Sequence, residues 1–481
     1  MRMDKDYISE IKMETCYVET WLHNKVRQTA IDYPEFGRGD RFKDLSHISR
    51  SHIEAFQFFR LKRVLDYAFQ KSKYYKEMFC KIGITPDDIR SMDDFVKLPF
   101  TDPDNLADIP HKFVCVSLKE FAQEYLLDTS GTEGEPKRVV CTQHDIDQMI
   151  DFMSAGMRTV SKSNDTIMLI LPDGRPNSQS DLLSKGVLKM GGIPVTCDIS
   201  VSPNECIQAI ERHRPGVIFT SPSRIHRITM GYKPRSRLSE LGVQTLFLTS
   251  EHVSSAMRKK LKEIWNCEVH GHYGMTEMGI GVSIECHAHD GYHFNEADLL
   301  LEVIDPNTGK LIEDDSEGEL VFTTLIRKGT PLIRYKTHDI SRVIRQPCPC
   351  GAATLKRIGS PVIKMRSFVT IGNNDTIYPS FFDDEIYSVP EVVDYQVVIS
   401  NKENRDCIKF VLETMEEGLE IEKEIKERLL KNPVIDSNID CGMLSLAEFE
   451  LVSMGTLRSK SRAKKLIIDN RKRCKNQRSF I

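Results

Sequence analysis

The chain has 481 residues and a mass of 55.1 kDa, room for roughly 2–4 domains of ordinary size. Hydrophobic residues are 40 % and charged residues 28 %, the composition of a soluble globular protein that can bury a large core. The net charge is −4 with a pI near 6.4, which gives no support for nucleic acid as a partner, and no apolar run reaches the ~18 residues of a membrane span. The charged stretch Met1 to Glu10 lacks the apolar core of a signal peptide. Thirteen cysteines are scattered through a chain too long to need disulfides, so a cytoplasmic protein with free thiols is expected.

In chain order, residues 1–100 read as helical. Leu22, Val26 and Ala30, then Phe58, Leu61, Val64, Leu65 and Ala68, recur at the three- and four-residue spacing of one helix face. From about residue 120, short apolar runs at Ile167–Leu171, Val217–Thr220 and Thr245–Leu248 alternate with amphipathic stretches around Ile207–Ile210 and Met257–Ile264. That alternation predicts a largely parallel sheet covered by helices, an α/β fold. Residues 280–345 read as strands and turns, with Leu299–Ile304, the turn Asp305 to Gly309, and Glu319–Thr323. A second, smaller β/α unit follows from about 365, with strands Val392–Ile399 and Ile408–Leu412 and the charged helix Leu419–Leu430. The end is basic, with ten Lys/Arg from Arg458 to Arg478 and no interleaved aromatics to stack bases.

The segment Thr129-Ser130-Gly131-Thr132-Glu133-Gly134-Glu135-Pro136-Lys137 has the composition of a phosphate cradle. Its glycines let backbone N–H groups point at an anion, its hydroxyls add donors, and Lys137 adds charge. Lys137 follows a proline and opens no helix, so this is not the Gly-Lys-Ser/Thr nucleotide loop. The segment resembles the phosphate loop of the adenylate-forming superfamily, Ser-Gly-Thr-Thr-Gly-x-Pro-Lys. Three further segments resemble that family's motifs in the right order: His272-Tyr273-Gly274-Met275-Thr276-Glu277, Pro331-Leu332-Ile333-Arg334-Tyr335-Lys336-Thr337-His338-Asp339, and Gly455-Thr456-Leu457-Arg458-Ser459 through Asp469. The phenylacetate–CoA ligase branch is the most similar, through Ser72-Lys73-Tyr74-Tyr75, Lys97-Leu98-Pro99-Phe100-Thr101, Glu319 to Leu325, and Ala463-Lys464 to Asp469.

The resemblance implies a large adenylation domain over residues 1–364, with mixed and parallel sheets, and a small mobile α+β domain over 365–481. It implies an ATP-dependent acid–CoA ligase. A carboxylate attacks ATP to give acyl-AMP and pyrophosphate, and the thiol of coenzyme A then displaces AMP. By the same resemblance Thr129, Ser130, Gly131, Thr132, Gly134 and Lys137 belong to the loop that holds the β- and γ-phosphates. Thr276 contacts the α-phosphate and Glu277 holds Mg²⁺. Asp339 takes the ribose hydroxyls, Ser250-Glu251 lies beside the adenine, and Tyr273 with Gly274 lies near the adenine or the acyl pocket. Arg366 survives from the hinge motif. Lys137, Glu277, Arg462 and Lys464 are the catalytic candidates. The partners implied are a small-molecule carboxylic acid, ATP and CoA, and a homodimer is left open.

Cys348-Pro349-Cys350-Gly351 forms a Cys-x-Cys knuckle, and Cys286, His287, His289 and His293 crowd a short stretch upstream. Two thiolates on a tight turn with a distant Cys/His pair make the soft four-ligand set that suits a structural Zn²⁺. The resemblance maps the ligands to Cys286, His293, Cys348 and Cys350, with His287 and His289 as competitors.

The chain departs from the family pattern at three places. Met365-Arg366-Ser367-Phe368-Val369 replaces both hinge acids with apolar residues. Arg462 stands where the catalytic lysine is expected, with Lys460 or Lys464 as substitutes. His338 replaces the usual glycine beside Asp339. Two further readings follow from these departures: an enzyme that adenylylates without making a CoA thioester, and a degenerate nucleotide-binding sensor or scaffold. The segment Asp173 to Ser178 is more polar than an aryl pocket requires, which favours an acid other than phenylacetate.

Overall fold

The computed structural model describes residues 16–37, 42, 44–127, 137–172, 175–313, 315–415, 419–447, 449–457 and 467–471. Backbone contacts group the chain into two units. One runs to Thr196 and resumes over His270–Val362; the other comprises Cys197–Val269 and Ile363 onward.

The first unit opens with α1 (Tyr17–Asp32), α2 (Arg50–Lys71) and α3 (Lys73–Ile82). α1 buries Val18, Leu22, Val26 and Thr29, so the stripe drifts to Thr29 rather than Ala30. α2 buries Ile53, Phe56, Gln57, Leu61, Val64, Leu65 and Ala68; Phe58, expected on that face, is half-buried instead. Gln57 can be buried because its amide donates to the carbonyls of Glu296 (2.9 Å) and Leu299 (3.2 Å). β1 (Gln123–Leu127) and β2 (Lys137–Cys141) pair antiparallel with Leu127 opposite Lys137. β1 and β2 are the two arms of a hairpin, and Lys137 is the first residue of its second strand.

α4 (Gln143–Met157) follows, capped by Thr142. The next elements are β3 (Thr166–Leu171), α5 (Gln179–Met190) and β4 (Ile193–Asp198), the strand–helix–strand order that the alternation predicts. Asp151 on α4 ties three helices together. It meets Lys25 (2.7 Å) and the indole N–H of Trp21 (2.9 Å) from α1, and Lys189 (2.6 Å) from α5.

In the second unit, α6 (Pro203–His213), β5 (Val217–Thr220), α7 (Pro222–Gly231), β6 (Thr245–Thr249) and α8 (Ser255–Trp265) alternate. β5 and β6 are parallel, and every residue of both is buried. Strands covered on both faces read as unbroken apolar runs, which is how they appear in the sequence.

The first unit resumes within β7 (Glu268–Met275), which with β8 (Gly279–Glu285) and β9 (Tyr292–Phe294) forms an antiparallel run. β10 (Leu299–Ile304), β11 (Gly318–Thr324) and β12 (Tyr335–Ser341) form a second. β13 (Val343–Ile344) pairs β14 (Arg357–Ile358), which places Arg357 opposite His293 of β9.

A buried scaffold supports β12. Arg334, 3 % exposed, adopts a left-handed backbone (φ 49°) and pairs with buried Glu302 at 2.8 Å. Its guanidinium also donates to the carbonyls of Val96 and Leu98 and stacks over Phe100 at 4.1 Å. The Tyr75 hydroxyl accepts from the Ile333 amide (2.8 Å) and meets Thr101, whose hydroxyl donates to the Ile333 carbonyl (2.6 Å). Three separate sequence motifs, around Tyr75, Thr101 and Arg334, are thus one packed structure.

The second unit ends as an α+β assembly. β15 (Val392–Lys402) and β16 (Arg405–Thr414) form a hairpin, followed by α9 (Leu419–Leu429) and α10 (Pro433–Asp440). β17 (Leu444–Leu446) and β18 (Glu450–Ser453) run parallel to β16, and β19 (Ile467–Asp469) runs parallel to β15. The α/β class with mixed and parallel sheets matches the expectation. Among the described residues no helix is long and apolar enough to cross a membrane.

The Asp151 clamp carries a pH dependence. Burial works against its charge, but Lys189, Lys25 and Trp21 outweigh it and hold the carboxyl at about 2. The folded value lies below the unfolded one, so the stability it supplies is present above pH ~4 and lost as pH falls toward 2, on the order of 2 kcal/mol. Acid unfolding curves of Asp151→Asn should lack that component while falling below wild type at neutral pH. Equal stability of the two at pH 7 would contradict the clamp.

Candidate active site

The hairpin β1–β2 delivers Lys137, the turn after β7 delivers Glu277, and β12 delivers Tyr335. These three meet. Lys137 Nζ donates to Glu277 Oε1 at 3.1 Å and to the Tyr335 hydroxyl at 3.2 Å, and that hydroxyl donates to the same Oε1 at 3.1 Å. Arg327 donates to the Glu277 carbonyl. A carboxylate held by an ammonium and a phenol has its charge fixed in place, and an ammonium with three N–H donors can also meet an anion.

A second pair joins β7 and β12. Tyr273 donates to Asp339 Oδ2 at 2.7 Å. The Asp339 amide donates to Thr337 Oγ1 (3.0 Å), and the Thr337 hydroxyl in turn donates to the Leu320 carbonyl (2.8 Å). Burial and then the Asp339 charge push the Tyr273 phenol well above its usual range, so it acts as a neutral donor that orients the carboxylate. Gly274 is required where it stands. A Cβ there would lie 2.8 Å from Cε1 of His272, whose buried imidazole is pushed down to about 4 and stays neutral. Thr276 is exposed in the turn between β7 and β8.

His338 accommodates its unusual position in a defined way. Its backbone is left-handed (φ 56°), the conformation a glycine adopts without strain. The cost is offset by Glu319, which accepts from the His338 amide (3.1 Å) and meets its Nδ1 (3.0 Å). Burial opposes ionisation of Glu319, but His338 and Lys336 outweigh it and lower its carboxyl.

In the second unit, Ser250 follows β6 with φ 74°, again a glycine-like conformation. Glu251 accepts from the Ser223 hydroxyl (2.7 Å) and amide (3.3 Å) at the start of α7. Arg366 lies in the single 3₁₀ turn Met365–Ser367. Thr129, Ser130, Gly131, Thr132, Gly134, Lys460, Arg462 and Lys464 lie outside the described residues. Tyr335 is the partner that motif reading overlooked as a site residue; its position inside the Arg-Tyr-x-Thr segment was the available signal.

The cysteine–histidine cluster assembles at one end of the β7–β9 run. Cys286 directly follows β8, His293 sits in β9, and Cys348 and Cys350 lie on the loop between β13 and β14. Cys286 and Cys348 sulfurs are 3.6 Å apart, Cys350 Sγ and His293 Nε2 are 3.3 Å apart, and the four ligand atoms all lie within 4.8 Å of one another. Two sulfurs on one tetrahedral Zn²⁺ would be about 3.7 Å apart for bonds of about 2.3 Å. The knuckle turns at Gly351 (φ 96°), with the Cys348 amide donating to the Ala352 carbonyl. Burial disfavours the charged His293 ring, but hydrogen bonds to Cys348 and Cys350 raise it to about 9, while donation from Cys16, Cys286 and Cys348 strongly lowers the Cys350 thiol. Cys16, just before α1, was not foreseen as a neighbour. His287 is exposed and joins no group of candidate ligands among the described residues, and His289 joins a different group from the four.

Comparison with known proteins accords with this geometry. A family profile described as AMP-binding enzyme matches residues 98–325. The phenylacetate–coenzyme A ligase of Thermus thermophilus is 28 % identical over 406 residues, covering 82 % of this chain and 88 % of that protein. The phenylacetate–coenzyme A ligase of Aromatoleum evansii is 30 % identical over 319 residues, covering 64 % and 70 %. Among solved structures, 2-hydroxyisobutyryl-CoA ligase in complex with 2-HIB-AMP superposes with a TM-score of 0.75 at 19 % identity, covering 87 % of this chain and 90 % of that one. At that identity the likeness speaks for the fold alone. The chain therefore belongs to the AMP-binding, adenylate-forming enzymes, in their phenylacetate–coenzyme A ligase-like branch.

Proposed function

We propose that the protein joins a small organic acid to coenzyme A in two steps at one site. The observation that carries this reading is the Lys137–Glu277–Tyr335 cluster, which shares β12 with the Tyr273–Asp339 pair. A carboxylate is a poor electrophile because its leaving group would be oxide. In the first step a carboxylate oxygen attacks the α-phosphorus of ATP and pyrophosphate leaves. In the second the CoA thiol attacks the acyl carbon and AMP leaves.

Each residue has a task set by its chemistry. Lys137 and the loop residues Thr129, Ser130, Gly131, Thr132 and Gly134 would counter the charge of the departing pyrophosphate. Thr276 would donate to the α-phosphate. Asp339, oriented by Tyr273, would accept from the ribose hydroxyls, and Ser250 with Glu251 would border the adenine. Glu277 fits Mg²⁺, since its charge is fixed in place by Lys137 and Tyr335; a bound Mg²⁺ would neutralise phosphate charge. Arg462, with Lys464 nearby in sequence, would supply the positive charge given elsewhere by lysine, in a different donor geometry. We assign residues 1–364 to adenylation and 365–481 to a small mobile domain, with Arg366 at its start.

Cys286, His293, Cys348 and Cys350 suit a structural zinc, with all four positions filled by protein. Such an ion would staple the loop between β13 and β14 to β8 and β9. Cytoplasmic residence fits the free thiols, including buried Cys115, Cys141 and Cys267. A homodimer would repeat the site rather than complete it, because one chain carries all the motif residues.

Pyrophosphate release from Mg-ATP across a panel of aliphatic, hydroxy and aryl acids, with and without CoA, tests the function. Release should depend on one class of acid and be accompanied by its CoA thioester. Release without thioester would replace this reading with adenylylation of another acceptor; silence in protein that binds ATP would replace it with nucleotide sensing.

Metal analysis tests the staple separately. Protein purified without chelator should carry one zinc held by the thiolate cluster, and Cys348→Ser should lose that ion and melt at a lower temperature. Zinc-free wild-type protein would remove the proposal.

A further inference from the structure

His270, Glu285 and His289 form a second cluster that neither the nucleotide site nor the thiolate centre uses. His270 lies on β7 and is buried, Glu285 is the last residue of β8 and is 2 % exposed, and His289 lies in the turn to β9. One ligand atom from each lies within 4.8 Å of the other two. His289 Nδ1 is 3.5 Å from Glu285 Oε1, close to the roughly 3.3 Å edge of a tetrahedral site with bonds of about 2.0 Å. The two imidazoles face each other with ring centroids 4.9 Å apart.

The local backbone is shaped around this arrangement. Gly271 stands next to His270, and a Cβ there would meet Tyr292 Cε1 at 2.9 Å and Glu285 Oε2 at 3.3 Å. The Gly271 amide donates to Glu285 Oε2, which orients the carboxylate as an outer-shell partner would. His289 takes a left-handed backbone (φ 51°), and its amide donates to the Cys286 carbonyl at 3.1 Å. Glu285 closes β8 and Cys286 follows it directly, yet the two belong to different clusters.

We propose that His270, Glu285 and His289 bind a second divalent transition ion, of the Zn²⁺ or Co²⁺ class, separate from the thiolate centre. Two neutral imidazoles and one carboxylate are the donors such an ion prefers, and they leave a coordination position for water or an exogenous ligand. Mg²⁺ is excluded by the imidazole donors. The ion would tie β7, the strand that leads into Tyr273–Glu277, to the turn between β8 and β9. The proposal rests on neither the ligase reading nor occupancy of the thiolate centre.

Cobalt titration of the full-length protein, stripped with chelator under reductant, tests it. Bound cobalt is counted by elemental analysis, and the sites are told apart by absorption. Thiolate ligation gives intense sulfur-to-cobalt charge transfer, whereas histidine and carboxylate ligation gives only weak ligand-field bands. Wild type should bind two ions, one of each kind. His289→Ala, at an exposed side chain, should weaken the ion without charge transfer by at least about 10-fold and leave the thiolate bands intact. Cys348→Ser should do the reverse. Glu285→Gln should reproduce His289→Ala. Saturation of wild type at the thiolate ion alone would overturn the proposal, as would a His289→Ala protein that still binds both. Loss of the thiolate bands in His289→Ala would also overturn it, by assigning His289 to the other centre.

Discussion

The site depends on where β12 begins, and a buried guanidinium sets that point. Arg334 is nearly inaccessible, paired with Glu302, and bound to the carbonyls of Val96 and Leu98. An unpaired charge in such a place would cost several kcal/mol, so the strand has one register in which the charge is compensated. In that register Tyr335 faces Lys137 and Glu277, and Asp339 faces Tyr273. The left-handed turn at Arg334 and the Tyr75–Thr101–Ile333 hydrogen bonds fix the same point from the other side. Motifs that look like family markers in the sequence are therefore the support of the site as much as its chemistry.

Polar groups are arranged in the same economical way throughout the site. Lys137 and Glu277 neutralise each other and share one phenol, so neither charge is left alone at low exposure. His338 holds a conformation that favours glycine because Glu319 meets both its amide and its ring. A substitution that looks like a defect beside Asp339 is thus compensated within the fold. The two ends of the segment 286–293, Cys286 and His293, join the thiolate cluster, while His289 within it joins His270 and Glu285.

Much of this was legible in the sequence, for identifiable reasons. The strands Val217–Thr220 and Thr245–Thr249 announce themselves because burial on both faces demands unbroken apolar runs. The stripe Leu22–Val26 on α1 and Leu61–Ala68 on α2 follows from helical period. Lys137, Glu277 and Asp339 stood out because their segments resemble the family motifs, and the same resemblance singled out Cys286, His293, Cys348 and Cys350, which lie together in the structure. What could not be read was the pairing of distant residues. Gln57 replaces Phe58 on the buried face because carbonyls 239 and 242 residues away accept its amide. Tyr335 joins Lys137 across 198 residues, Cys16 meets Cys350, and His289 turns toward His270 rather than toward Cys348. Spacing names candidates for a ligand set, but only the turn geometry decides which face each one takes.

The central claim is that a free acyl-adenylate forms at this site before any thiol is involved. Isotope exchange between pyrophosphate and ATP, measured with the cognate acid and without CoA, tests it most directly. Reversible adenylate formation predicts exchange that requires the acid and collapses in Glu277→Gln. Thioester synthesis by a wild-type enzyme that shows no exchange until CoA is added would contradict the two-step account.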